Sequence, residues 1–163
     1  MSNRRNRTLS PHRVVSVVAL LLAVVVAGCG TGTTSTFTGS PDEVRVATVG
    51  GLGKILVDGQ GFTLYILAAD NRSGRSTCFA ACAGEWPPMT LSQDTAAPIA
   101  GPGTKPSLLG LTSRGDGTEQ VTYDGWPLYR WPTDTSPGMA TGQGVDDENG
   151  YWYVLRPTGI VVR

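Results

Sequence analysis

A ten-residue stretch occurs twice, 64 positions apart, and this duplication constrains the fold more than any other feature of the chain. "GFTLYILAAD" (residues 61–70) returns as "GWPLYRWPTD" (125–134). Gly61, Leu64, Tyr65, Asp70 and Gly74 recur as Gly125, Leu128, Tyr129, Asp134 and Gly138, and Phe62 aligns with Trp126. Each copy reads as a strand entered from a glycine turn. Leu and Tyr, adjacent along an extended chain, point to opposite faces. The Asp ends the strand, its carboxylate placed to accept backbone N–H groups of the next turn. The Tyr can bury its ring while its hydroxyl reaches a polar partner, and the Asp of its own copy is the candidate nearest in sequence. A ligand or metal site made jointly of Asp70 and Asp134 is the sharper alternative.

No segment downstream of residue 28 carries a helical period. Instead 21 Gly and 10 Pro punctuate short apolar bursts, the pattern of an all-β chain. The bursts predict strands at 44–49, 54–57, 62–67, 119–123, 127–131, 151–155 and 159–162. Asp124-Gly125 is a strong hairpin signal because both positions tolerate positive φ. Residues 92–107, rich in Pro, Ala and Gly, read as a long loop between two halves. The expected fold is a mainly β, single small domain of two degenerate β repeats, near 44–91 and 108–162. One short helical turn is expected around the Cys-x-x-x-Cys segment.

The N-terminus reads as an address. Arg4, Arg5, Arg7 and Arg13 precede an apolar run at 14–27, the layout of a signal peptide. That run is short for a membrane-spanning helix, which needs about 20 residues. It ends in Val26-Ala27-Gly28-Cys29, the kind of site at which a lipoprotein signal peptidase cuts before an acylated cysteine. Segment 1–28 is therefore expected to be a lipoprotein signal peptide, and 29–42 a lipidated Cys29 with a Thr/Ser/Gly-rich flexible tether. Residues 43–163 form the β-rich domain. An ordinary secretion signal followed by a chance Cys is the alternative. Diacylglycerol plus an N-acyl chain on Cys29 would anchor the protein stably to the extracytoplasmic face of the cell membrane.

Removing the signal leaves 135 residues, with nine basic against 13 acidic side chains. That balance, without a Lys/Arg cluster, speaks against nucleic acid. The only histidine, His12, departs with the signal, and with it go imidazole-based triads, imidazole metal ligands and the usual general base near neutral pH. No cofactor is expected. An enzyme built on Asp70, Asp134 and Glu85 has no spacing argument behind it.

Cys78 and Cys82 remain. Four apart on a helical turn, their Cα atoms would lie about 6 Å apart, within disulfide range, and disulfides persist outside the cytoplasm. A structural bridge is the first reading. A reversible dithiol near Arg72 and Arg75, or a Cu(I) site of Cys78, Cys82 and Met89, are the others. The acidic run 146–150 reads as a solvated turn, without the alternating ligands of a calcium loop. Trp126, Trp131, Trp152, Tyr129, Tyr151 and Tyr153 read first as core. They would form an aromatic platform for sugar only where alternation leaves a face exposed.

With Tyr129, Trp131 and Asp134 the second copy carries a Tyr-x-aromatic-x-x-Asp motif, and in this the chain resembles a family of bacterial lipoproteins described as secreted repeats of unknown function. Tyr65 and Asp70 match in the first copy, where Leu67 replaces the aromatic. "STCFAACAGEWPP", "DGTEQVTYDGWPLY" and "YWYVLRPTG" resemble the family's cysteine segment and later blocks. The resemblance implies export and no established activity. The expected function is a lipid-anchored envelope module that binds a protein or glycan partner, with thiol redox or copper handling as the alternative.

Overall fold

The computed structural model describes residues 36–163, so the signal segment 1–28, Cys29 and the first part of the tether lie outside the described residues. From Phe37 onward the chain is already packed. The Phe37 ring lies against Gly61, Arg45 sits 5.3 Å above it, and the Gly39 N–H donates to Gly59 O at 3.0 Å. Asp42 is buried, accepting from Ser92 N, Ser92 Oγ and Thr95 Oγ1. Residues 37–42, expected as part of the flexible tether over 29–42, are therefore packed into the domain.

The strands of the described residues fall into three small sheets. The first has order β2-β1-β4, from β1 (Glu43–Val49), β2 (Gly53–Asp58) and β4 (Ile99–Ala100). The second runs β3-β9-β8, from β3 (Tyr65–Leu67), β8 (Asp146–Asp147) and β9 (Gly150–Val154). The third runs β5-β6-β7, from β5 (Leu109–Ser113), β6 (Glu119–Tyr123) and β7 (Trp126–Pro127). Among the described residues one α-helix, α1 (Ala81–Glu85), carries Cys82. The mainly β two-repeat architecture, with its short helix at the cysteines, agrees with the expectation.

Each half builds the same unit and then completes it with a strand from the other half. The hairpin β1–β2 runs from Val44↔Asp58 to Val49↔Gly53, and β5–β6 from Leu109↔Tyr123 to Ser113↔Glu119. In the first half Tyr65 pairs with Val154 and Leu67 with Trp152, both on β9 of the second half. In the second half Tyr129 pairs with Pro88, and Met89 bridges to Leu128 and Val121, so residues 88–91 of the first half play the part of β9. At the centre Tyr65 and Tyr129 face one another. Each donates its N–H to the other's carbonyl at 2.9 Å, which marks a local twofold axis between the copies.

The buried strands separate two apolar clusters. Successive side chains of a strand point to opposite faces. Ile55, Val57, Tyr65, Leu67, Trp152 and Val154 accordingly join the cluster holding the cysteines and Trp86. Their neighbours Leu56, Leu64, Ile66 and Leu155 join the one holding Met89, Val121, Tyr123 and Leu128. With apolar groups wanted on both faces, β2 loses the in–out alternation of a surface strand and is buried from Ile55 to Asp58.

Several boundaries differ from the sequence pattern. Regular pairing in the first motif begins at Tyr65 rather than 62, with Thr63 bridging to Val57. In the second it covers only Trp126–Pro127: Leu128 N still donates to Val121 O, but Val121 N and Leu128 O turn instead to Met89 of the first half. Segment 159–162 meets the sheet through the isolated Leu155↔Val161 bridge and through the Val162 N–H, which donates to Val154 O at 2.9 Å. The 92–107 connection contains β4, which runs parallel to β1, and β5 and β8 were not anticipated. Asp124 and Gly125 adopt φ of 52° and 78°, the two-residue turn their identities predict.

Candidate functional site

The motif residues converge on the local twofold axis in a crossed arrangement. The expected partner for each tyrosine was the aspartate of its own copy, and the structure exchanges them. Tyr65 Oη donates to Asp134 Oδ2 at 2.5 Å, and Tyr129 Oη to Asp70 Oδ2 at 2.7 Å. The reason is the antiparallel contact of Tyr65 with Tyr129, which carries each ring across the axis into the other half. The second carboxylate oxygens are occupied locally. Asp70 Oδ1 accepts from Thr77 N and Oγ1, both at 2.7 Å. Asp134 Oδ1 accepts from Thr141 N at 2.8 Å and Oγ1 at 2.7 Å. Thr77 and Thr141 are again 64 apart. Extending the repeat three residues past its closing glycine would have found them.

All four motif groups are buried, and each of the four carboxylate oxygens accepts at least one hydrogen bond. Desolvation pushes the Asp70 carboxyl above its ordinary value of 3.8, against the opposing hydrogen bonds from Thr77 and Tyr129 and the field of Arg114. Desolvation also raises both phenols far above their ordinary value, helped by Asp134 for Tyr65 and by Asp70 for Tyr129. The joint Asp70–Asp134 ligand site therefore has no free oxygen to offer, and Glu85 stands exposed at the end of α1, apart from both. Among the described residues no group of three acidic, Cys or His side chains is placed to hold a metal ion.

Around this network stands a column of three indoles. Trp86 stacks on Trp152 at 4.0 Å and 7°, and on Trp131 at 4.1 Å and 24°. Tyr65 meets Trp86 edge-on at 5.5 Å, and Tyr129 meets Trp152 likewise at 5.1 Å, so the twofold relation extends to the tryptophans. One carboxylate oxygen ties the central pair. Trp86 Nε1 donates to Asp147 Oδ2 at 3.0 Å and Trp152 Nε1 to the same atom at 2.8 Å. Burial disfavours the charge on Asp147, but hydrogen bonds from Asn149, Trp152 and Trp86 prevail and hold its carboxyl below the ordinary value. The run 146–150 is thus more than a solvated turn, since Asp147 is an internal acceptor presented by the β8–β9 hairpin.

Cys78 and Cys82 form a disulfide with Cα atoms 5.2 Å apart, as the spacing allowed. Both are buried beside Trp86 in the first cluster, whereas Met89 packs in the second, so the three soft atoms proposed for copper are not brought together. Beside the bridge lies Arg114, 6% exposed, which sequence reasoning missed because a lone buried Arg leaves no periodic trace. Its guanidinium donates to Ser76 Oγ, Gln120 Oε1 and Cys78 O at 2.7–3.0 Å, joining the disulfide segment to β6.

Of the six rings considered as an aromatic platform, Trp152 and Tyr129 are fully buried. Tyr151 and Tyr153 stack at 5.9 Å on the β9 face opposite Trp152, Tyr151 exposed and Tyr153 packed against the second cluster. Trp131 ends the indole column half-buried, with one face on Trp86. It lines a groove of about 270 Å³ with Asp58, Gln60, Phe62, Pro87, Arg130, Pro132 and Asp134.

A crossed Tyr–Asp pair, a strand traded between halves and a bridged helical turn define a class: a β domain made by intrachain pairing of two copies of one motif. The chain belongs to the family described as a secreted repeat of unknown function, whose model matches residues 47–90 and 110–156, one span for each copy. Membership of a secreted family puts the domain outside the cytoplasm, in the extracellular or envelope space. No curated protein and no solved structure matches the chain.

Proposed function

We propose that the protein is a non-catalytic binding module of the bacterial cell envelope, held on the outer face of the membrane by lipid on Cys29. The observation that carries this reading is the saturation of the motif. Tyr65, Asp70, Tyr129 and Asp134 spend their polar atoms on one another and on Thr77 and Thr141, so the residues that look most like chemistry serve as scaffold. A rigid body presenting surface is what such a scaffold supports. Anchorage rests on the Arg-rich segment, the short apolar run and the Val26-Ala27-Gly28-Cys29 junction.

The test compares wild type with Cys29→Ser in the native host by fractionation, intact mass and cross-linking in whole envelopes. Expected are an acylated product starting at residue 29 in the membrane fraction and a discrete cross-linked species, with acylation and processing lost in the variant. A Cys29→Ser product still processed at residue 29 and acylated overturns the anchor. Absence of any discrete cross-link overturns the binding role.

A further inference from the structure

Resting on that reading, we infer that the groove at Trp131 is a binding site for a single neutral sugar ring of an envelope glycan. Trp131 stands apart from the other stacked indoles. Trp86 and Trp152 direct Nε1 inward to Asp147, whereas Trp131 Nε1 has no acceptor among the described residues and one ring face is not covered by Trp86. That ring is backed by the Trp86–Trp152 stack, so its plane is fixed before a ligand arrives. An indole face is flat, apolar and electron-rich, which suits the C–H face of a pyranose.

The rim supplies the polar half of such a site. Gln60 is exposed on the β2–β3 turn, whose backbone is held by the Gln60 and Phe62 N–H groups donating to Asp58 Oδ1 at 2.9 and 3.0 Å. Arg130 donates Nε to Asp58 Oδ2 at 2.9 Å and one terminal nitrogen to Pro41 O at 3.0 Å, leaving the other terminal nitrogen for a ligand. Asp58 neutralises Arg130, and the third charged lining residue, Asp134, has both oxygens engaged by Tyr65 and Thr141, so hydroxyl groups are the matching chemistry. At about 270 Å³ it lies just below the usual ligand-site range, enough for one ring with the remaining sugars running outside.

A proline-rich peptide is the competing occupant. It would use Trp131 and Phe62 as ridges with less need for Gln60.

The mature protein in detergent is titrated with a tetramer of β-1,4-linked N-acetylglucosamine, maltotetraose and decaproline, read by tryptophan fluorescence and saturation-transfer NMR. Saturable binding of a tetrasaccharide is expected, weakened roughly tenfold or more by Trp131→Ala and several-fold by Gln60→Ala. Gln60 is exposed, so its variant keeps the test alive if Trp131→Ala unfolds. Neither sugar binding, sugar binding indifferent to both substitutions, or decaproline binding in their place overturns the inference. A discrete cross-link in whole envelopes alongside any of those results leaves the binding module standing and removes only the sugar.

Discussion

The crossing of the tyrosines can be measured as an interaction energy. Tyr65→Phe keeps the ring in its edge contact with Trp86 and deletes only the hydroxyl. Asp134 then loses the donor at 2.5 Å, and the Gly142 N–H loses the acceptor it reaches at 3.2 Å. A hydrogen bond to a charged group contributes about 1.5–3 kcal/mol and a neutral one about 1 kcal/mol, so the expected loss is about 3 kcal/mol. Asp134→Ala removes that bond and both bonds from Thr141, and should cost more. The pair shares one strong contact, so a double-mutant cycle should return about 1.5–3 kcal/mol of coupling. Tyr65 and Asp70 share no hydrogen bond, and the cycle of Tyr65→Phe with Asp70→Ala should return less than about 0.5 kcal/mol. Urea unfolding followed by tryptophan fluorescence gives all the values. Stronger coupling of Tyr65 to Asp70 than to Asp134 would refute the crossed arrangement and the twofold axis with it.

A methyl on Gly142 would lie 2.8 Å from the Trp86 ring and 2.9 Å from Tyr65, so Gly142→Ala should destabilise by about 1–3 kcal/mol, whereas Gly84→Ala, with open space in α1, should be neutral or stabilise by about 0.5–1 kcal/mol, both read by urea midpoint. Cys78→Ser opens a very small loop and should cost about 2 kcal/mol, while the intact bridge, buried in the first cluster, should resist mild dithiol in alkylation and intact-mass measurements unless denaturant is added. Asp147 is depressed in the fold, so its stabilisation is present above pH 3.8 and lost as pH falls through its folded value; Asp147→Asn should flatten the acid limb of a stability–pH curve. Asp70 is raised, so its contribution is full below pH 3.8 and lost as pH rises through its folded value; Asp70→Asn should steepen the same limb.

What the sequence made legible follows from where the information is local. The 64-residue offset exposed the two copies, the spacing of Cys78 and Cys82 allowed the bridge, and Asp124-Gly125 specified its turn, because each depends on a few neighbouring residues. The crossing of Tyr65 to Asp134 was hidden, since a motif repeated twice is equally compatible with pairing inside a copy or between copies. Only the long-range register of Tyr65 against Tyr129 decides. Asp147 was read as surface because an acidic run looks solvated; its two indole donors lie 61 and five residues away. The short strands β4 and β8 were unreadable for a related reason, being two-residue segments set by their partners rather than by their own composition.

The traded strands bear on how the molecule closes. Residues 92–107 allow one chain to fold back and satisfy both halves by itself. Trim that connection, at the cost of β4 and of the Ser92 and Thr95 bonds to Asp42, until it no longer spans the distance, and the bonds between the two halves close only between two copies, as a domain-swapped dimer. The pairing of one half with the other would be the same in monomer and dimer, so the assembly state of this fold is a setting of its hinge.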